Sequence, residues 1–240
     1  IDRLEDVFSL YRPGSALSRL NRDGALDAPP FELLECLGIA GAVHDATGGA
    51  FDPTVQPLWA AYAEGYAAGG MPTNPMLDAA RSRVSWSLLR VAPSRVAFAL
   101  PGMALTLNGI AQGYIADRVA RMLEAKGLDQ ILIDTGELRA LGTTPAGAPW
   151  SVMLPDGGRL DFRDRALATS APLGTSFDQA GTIGHILDPR TGLPARASMQ
   201  TVSVTAPTAA LADALSTGLC LLDGKEAEEA IGRLRDCRRV

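Results

Sequence analysis

Apolar residues along the chain recur with two periods, and each period predicts its own kind of element. Ile1 to Leu10 reads as the end of an amphipathic helix, closed by the turn signal Tyr11-Arg12-Pro13-Gly14-Ser15. A long apolar pattern from Phe31 to Thr47 lies between Pro29-Pro30 and Gly48-Gly49, the asymmetry expected of a helix. Phe51 to Tyr62 predicts a short helix entered through Asp52-Pro53-Thr54. Gly65 to Pro75 predicts a loose loop, and Asn74-Pro75 starts a short helix to Arg83. Gly109 to Lys126 carries Ile115, Val119, Met122 and Leu123 at helical spacing and stops at Gly127. Thr208 is a good N-cap for a helix to about Leu222, and Lys225 to Arg235 reads as a last amphipathic helix.

The other segments predict strands. Leu88 to Val91 and Arg95 to Leu100 flank Ala92-Pro93-Ser94 as a hairpin pattern. Met103 to Leu107, Gln130 to Asp134, Glu137 to Leu141, Trp150 to Leu154, Leu160 to Phe162, Ala166 to Ser170 and His185 to Leu187 follow as short strands. Thr201 to Ala206 alternates Val202 and Val204 with Ser203 and Thr205. Strands and helices mix without strict βαβ alternation. The expectation is therefore an α+β fold of mixed, mainly antiparallel strands with packed helices, in one domain spanning residues 1–240.

Composition narrows the classes. The chain has 240 residues, 47% of them hydrophobic and 20% charged, which suits a packed core and excludes a disordered chain. Its 25 glycines and 16 prolines exclude a coiled coil or a mainly helical bundle. A formal charge of −5 argues against nucleic acid as a partner. The uncharged stretches Met103 to Ala116 and Ala197 to Ala212 carry polar residues and fall short of the roughly 18–20 apolar residues of a membrane span, and the residues that extend the first back to Val96 include Pro101 and Gly102. Three cysteines, Cys36, Cys220 and Cys237, exclude a disulfide framework but leave one bridge open. The first residue is Ile1 rather than Met. The expectation is an N-terminally truncated form of a longer gene product, with removal of a signal peptide or anchor left open.

Four segments carry candidate chemistry. Asp213, Ser216 and Thr217 share one helix face, offset from the Leu211/Leu215/Leu219/Leu222 stripe; their oxygens suit Mg²⁺ or Ca²⁺, and the alternative is a solvated polar face. Leu107 to Gly113 places glycines where a strand meets a helix. That arrangement suits a phosphate, with close packing at glycine as the commoner alternative, and it matches neither familiar nucleotide loop. His185-Ile-Leu-Asp188-Pro189-Arg190-Thr191-Gly192 is a tight turn beside one of only two histidines, an active-site loop or a structural one. Thr47 to Thr54 sets Phe51 beside glycines, where it can stack on a flat ring or pack in the core.

In this order the segments resemble the ApbE family of FAD:protein FMN transferases. The resemblance runs from about Leu4 to Leu222. It rests on Phe8 to Asn21, Gly48 to Val55, Leu105 to Asp117, Gly136-Glu137 with Ala140 to Gly142, Ala168 to Ser170, His185 to Gly192 and Asp213 to Thr217. Asn108-Gly-Ile-Ala-Gln-Gly113 is most similar to the NosX-like branch attached to nitrous-oxide reductase maturation. The resemblance implies a T-fold-like architecture. It also implies Mg²⁺-dependent transfer of FMN from FAD to a Thr or Ser hydroxyl of a partner flavoprotein, releasing AMP.

By resemblance, Tyr11, Ala50, Phe51, Asp52, Thr106, Gln112 and Leu187 contact FAD. The Gly109 carbonyl with Asp213, Ser216 and Thr217 holds Mg²⁺, and His185 serves the reaction. The implied acceptor carries a Thr/Ser flavinylation motif, a NosR-like membrane flavoprotein among the candidates, and the implied compartment is the periplasm. The common family run Leu-Asp-Leu-Gly-Gly-Ile-Ala-Lys-Gly departs here at Thr106, Asn108 and Gln112, and a later Gly-Gly pair becomes Thr135-Gly136. Two other readings stand beside transfer: a FAD carrier, and an Mg²⁺-dependent FAD pyrophosphatase.

Overall fold

The computed structural model describes residues 1–196 and 201–240. The α+β expectation holds. Its centre is an antiparallel five-stranded sheet in the order β10 (Arg238–Arg239), β9 (Val202–Ala206), β8 (Ala166–Ser170), β5 (Leu138–Leu141) and β4 (Ile131–Asp134). A three-stranded sheet of β1 (Ala25–Asp27), β3 (Arg95–Phe98) and β2 (Leu89–Ala92) and a hairpin of β6 (Trp150–Met153) and β7 (Arg159–Phe162) complete the strands. Among the described residues no helix is long and apolar enough to cross a membrane.

Helix α7 (Ala209–Leu219) is the axle of the core. It packs on β8 and β9, and α3 (Phe31–Ala46) and α6 (Ala111–Glu124) pack on α7. Its run of alanines makes this possible: Ala209, Ala210, Ala212 and Ala214 are all fully buried, so neighbouring backbones approach closely. Gly113 on α6 shows how closely, because a Cβ there would lie 2.3 Å from the Ala209 carbonyl oxygen. Enclosed on several sides, α7 has no solvated face. Asp213 is buried and Ser216 is wholly so, whereas Leu211 of the expected leucine stripe is only partly buried.

Several local expectations need correction. Among the described residues, Met103 to Leu107 has no strand partner. Met103, Leu105 and Leu107 are buried as the alternation predicts, but the backbone of Leu105 bonds to the side chain of Asn21, N–H to Oδ1 and Nδ2 to carbonyl, both at 2.8 Å. His185 to Leu187 is likewise no strand, only a segment held by single bridges, Ser176 to Gly184 and Leu187 to Pro194. The helix expected from Phe51 begins with a 3₁₀ turn at Pro53–Val55 and continues as α4 (Gln56–Ala67), taking part of the expected loop. Helix α2 (Ala16–Asp23) escaped the apolar pattern, though its signals are present: Ser15 caps its start through the Ser18 N–H, and Gly24 ends it at φ 76°. Ser203 and Thr205 are buried rather than on a wet face, and Ser203 bonds across to Thr169 at 2.8 Å. The three cysteines are free and buried.

Candidate active site

One cleft of about 350 Å³ gathers segments that the sequence keeps far apart. Its walls come from the turn Ala50 to Val55, the stretch Thr106 to Gln112, Glu137, the end of β8, the loop through Thr175 and His185 to Leu187, and Asp213 and Thr217 on α7.

The Phe51–Asp52 wall is rigidly braced. The Phe51 N–H donates to Thr47 Oγ1 at 3.1 Å, and the Phe51 carbonyl lies 3.0 Å from His44 Nδ1. The His44 ring stacks on Trp86, and the Trp86 backbone N–H donates to Asp52 Oδ2 at 3.1 Å. The other Asp52 oxygen accepts from the Thr54 N–H and hydroxyl at 2.8 and 2.7 Å, capping the 3₁₀ turn. Thr106 is hung from this wall, its N–H donating to the Pro53 carbonyl at 2.8 Å.

On the opposite side, His185 Nδ1 lies 2.9 Å from the Thr175 carbonyl oxygen. A carbonyl only accepts, so Nδ1 carries the ring proton and Nε2 is left as the basic nitrogen. The loop bearing His185 is anchored by Phe177, whose ring packs against Trp59, Tyr62 and Tyr66 of α4. Trp59 also lines the cleft.

The floor is acidic. Asp213 is 5% exposed and accepts the Gly113 N–H at 3.2 Å. Glu137 is 9% exposed, and its Oε2 has no partner. Loss of water pushes both carboxyls up from their ordinary range, and the charge of Asp213 pushes Glu137 further. Thr217 lies beside Gly109: a Cβ on that glycine would come within 3.0 Å of Thr217 Oγ1. Hydroxyl, carboxylate and backbone oxygens are hard donors, and an unpartnered buried carboxylate demands a positive counterpart, so the residues present fit a divalent cation such as Mg²⁺. Among the described residues no cluster of three His, Cys, Asp or Glu side chains occurs, so the remaining ligands must be hydroxyl, backbone, water or substrate oxygens.

Not every residue expected at the site reaches it. Tyr11 is 82% exposed and outside the cleft. Ser216 is buried behind it, its hydroxyl 2.7 Å from Ser170 Oγ and donating to the Asp213 carbonyl at 3.0 Å. Gln112 lines the cleft, but its amide lies over Gly136 and donates to the Thr135 carbonyl. Asp188 and Arg190 form a two-pronged pair, 2.9 Å on each prong, and line a separate groove. Conversely, Glu137, Trp59 and Thr175 were not expected at the site. Glu137 had a signal in its Gly136-Glu137 segment; Trp59 and Thr175 had none.

This α+β architecture is that of known flavin transferases. The chain superposes on the flavin transferase ApbE from Vibrio cholerae with a TM-score of 0.82 at 26% identity, over 99% of this chain and 80% of that one. It superposes on the flavinyl transferase ApbE of Pseudomonas stutzeri with a TM-score of 0.83 at 28% identity, over 96% and 76%. In sequence it is 28% identical to the FAD:protein FMN transferase of Salmonella typhimurium over 97% of this chain and 72% of that protein. It is 31% identical to the enzyme of the same name from Treponema pallidum, again over 97% and 72%. Residues 1–238 match the model of the ApbE family, and the chain belongs to that family.

Proposed function

We propose that this chain transfers FMN from FAD to a Thr or Ser hydroxyl of a partner flavoprotein, forming a phosphoester and releasing AMP. The observation that carries this reading is the single cleft in which Phe51, Asp52, Thr106, His185, Leu187, Asp213 and Thr217 meet. The relatives named FAD:protein FMN transferase, matched over nearly the whole chain, support it. In this reading Phe51, Trp59 and Leu187 form the apolar wall against the flat rings of FAD. The acceptor hydroxyl attacks the phosphorus next to riboflavin, the bridge to AMP breaks, and the hydroxyl proton passes to His185 Nε2. The Thr175 carbonyl keeps His185 in the tautomer that can take it. Asp213, Thr217 and the Gly109 backbone are the groups that would hold Mg²⁺, which supplies charge neutralisation at the phosphoryl oxygens.

The acceptor in this reading is exported with the chain to the periplasm, and the flavin-accepting domain of a NosR-like protein from nitrous-oxide reductase maturation is the first to test. Incubation of the protein with FAD, Mg²⁺ and that domain is expected to leave a denaturation-resistant FMN mass on the acceptor with equimolar AMP. Free FMN with AMP would indicate a pyrophosphatase, and tight FAD binding without product across several acceptors a carrier. His185→Asn is expected to slow transfer by about 10²–10⁴-fold while FAD affinity stays within a few-fold. A rate close to that of the parent would reduce His185 to a structural residue.

A further inference from the structure

We infer that Glu137 supplies a second carboxylate to the cation site at Asp213, so that this chain binds one divalent cation such as Mg²⁺ before any flavin arrives. The inference rests on the reading of Asp213 as a cation ligand and extends it to a residue that the family resemblance does not place on the metal.

Glu137 immediately precedes β5, directly after the Thr135-Gly136 turn, and it lines the same cleft as Asp213. Its Oε2 is the one buried side-chain polar atom without a hydrogen-bond partner among the described residues. Native proteins rarely leave such an atom, because a buried carboxylate with neither partner nor water is costly. No described Lys, Arg or His lies within ion-pair distance of Glu137 or Asp213; Arg139, on the same strand, pairs with Asp117 at 3.3 Å instead. Two buried negative charges with no protein cation are balanced by one divalent ion. Thr217 Oγ1 and the Gly109 backbone add neutral oxygens from the same side, and hard oxygen donors of this kind are what Mg²⁺ and Mn²⁺ take. Both hydroxyls reach Ser170 Oγ, Thr217 at 3.2 Å and Ser216 at 2.7 Å, but Thr217 lines the cleft, whereas Ser216 is wholly buried behind it and donates to the Asp213 carbonyl. The structure thus exchanges Ser216 for Glu137 in the donor set.

The order of binding follows from charge. Without a cation, the two carboxyls on the cleft floor either hold protons or, once ionised, repel a pyrophosphate. With one divalent ion the floor is neutral, and the phosphates complete the ion's coordination. Cation and flavin then help each other bind by the same factor, since such coupling is reciprocal.

The test is calorimetric titration of Mg²⁺, and separately Mn²⁺, into the flavin-free protein, its Glu137→Gln variant and its Asp213→Asn variant, with thermal melts of each. The parent is expected to bind one divalent ion. Losing a residue that merely orients a metal ligand costs about 10–100-fold in affinity, so Glu137→Gln is expected to weaken binding at least tenfold. Metal-free Glu137→Gln is expected to melt above the parent, because the amide carries no buried charge, and to gain less from added Mg²⁺. Weaker ion binding together with this smaller gain supports the inference. Unchanged affinity in Glu137→Gln with loss in Asp213→Asn overturns it and leaves the cation reading of Asp213 in place. A melting shift with an undiminished gain from Mg²⁺ also overturns it, as the signature of a purely structural residue. Unchanged affinity in both variants removes the Asp213 cation reading as well.

Discussion

Two buried acidic sites flank the contact between α6 and α7, and they are built in opposite ways. Asp117 on α6 is 6% exposed and fully partnered. Its two oxygens accept the Ala209 and Ala210 N–H groups at 2.9 Å each, and Arg139 Nε stands 3.3 Å away. It closes the first turn of α7, where unpaired N–H groups and the positive end of the helix dipole favour a carboxylate. About one helical turn further along, among the described residues, Asp213 has a single N–H partner and Glu137 leaves an oxygen with none. Burial raises all three carboxyls. Two N–H bonds and Arg139 pull Asp117 back; one backbone N–H each, from Gly113 and Thr169, pulls Asp213 and Glu137 back, while Asp213 raises Glu137 still further. Depth of burial therefore does not distinguish a structural carboxylate from a functional one. Its partners do: the satisfied group caps a helix, and the under-partnered pair is the one proposed above to hold a cation.

The largest expected effect separates the two sites by stability. Asp117→Ala leaves two helix N–H groups and Arg139 without their partner, and is expected to cost about 3–5 kcal/mol in urea unfolding. An Asp117→Ala protein as stable as the parent would break the distinction. Asp213→Asn is expected to do the reverse. It lowers FMN transfer by about 10²-fold or more through loss of the cation, while the circular-dichroism melt of the metal-free protein stays at or above that of the parent. An Asp213→Asn protein that melts early and transfers normally would make Asp213 a second structural carboxylate.

Gly113 joins the two sites, since its N–H donates to Asp213 and its Cα lies against Ala209. Gly113→Ala must push α6 away from the Ala209 carbonyl, and is expected to cost about 1–3 kcal/mol by overpacking. It should also weaken Mg²⁺ binding, measured by titration. Loss of stability alone would show that the two sites are independent.

The last effect is one of pH. The folded chain holds protons on Asp213 and Glu137 above the ordinary carboxylate range of about 4, whereas the unfolded chain does not. Stability in metal-free buffer is therefore expected to fall as pH rises from that range through neutrality. Glu137→Gln should flatten the fall. A metal-free protein whose stability is level from pH 5 to about 8 would contradict the two raised carboxyls.

The sequence by itself determined what depends on neighbours along the chain. Helix α3 between its prolines and glycines, the Thr208 cap of α7, the hairpin around Pro93 and the antiparallel α+β class were legible because period, cap and turn are local properties. The ordered motifs also pointed to Phe51, Asp52, Thr106, His185, Leu187, Asp213 and Thr217, and the cleft collects all of them. Tertiary structure decided the rest. Met103 to Leu107 has the alternation of a strand, but whether a strand pairs depends on a distant neighbour, and here that neighbour is the side chain of Asn21. Whether Asp213 lies on a wet face or in the core is invisible in its helix, because α3, α6 and the sheet bury it from outside. That Glu137 comes to the same floor without a hydrogen-bond partner for Oε2, while Asp117 finds two N–H groups and an arginine, follows from how three helices settle on five strands. The energy of a buried charge is set by everything that surrounds it in space.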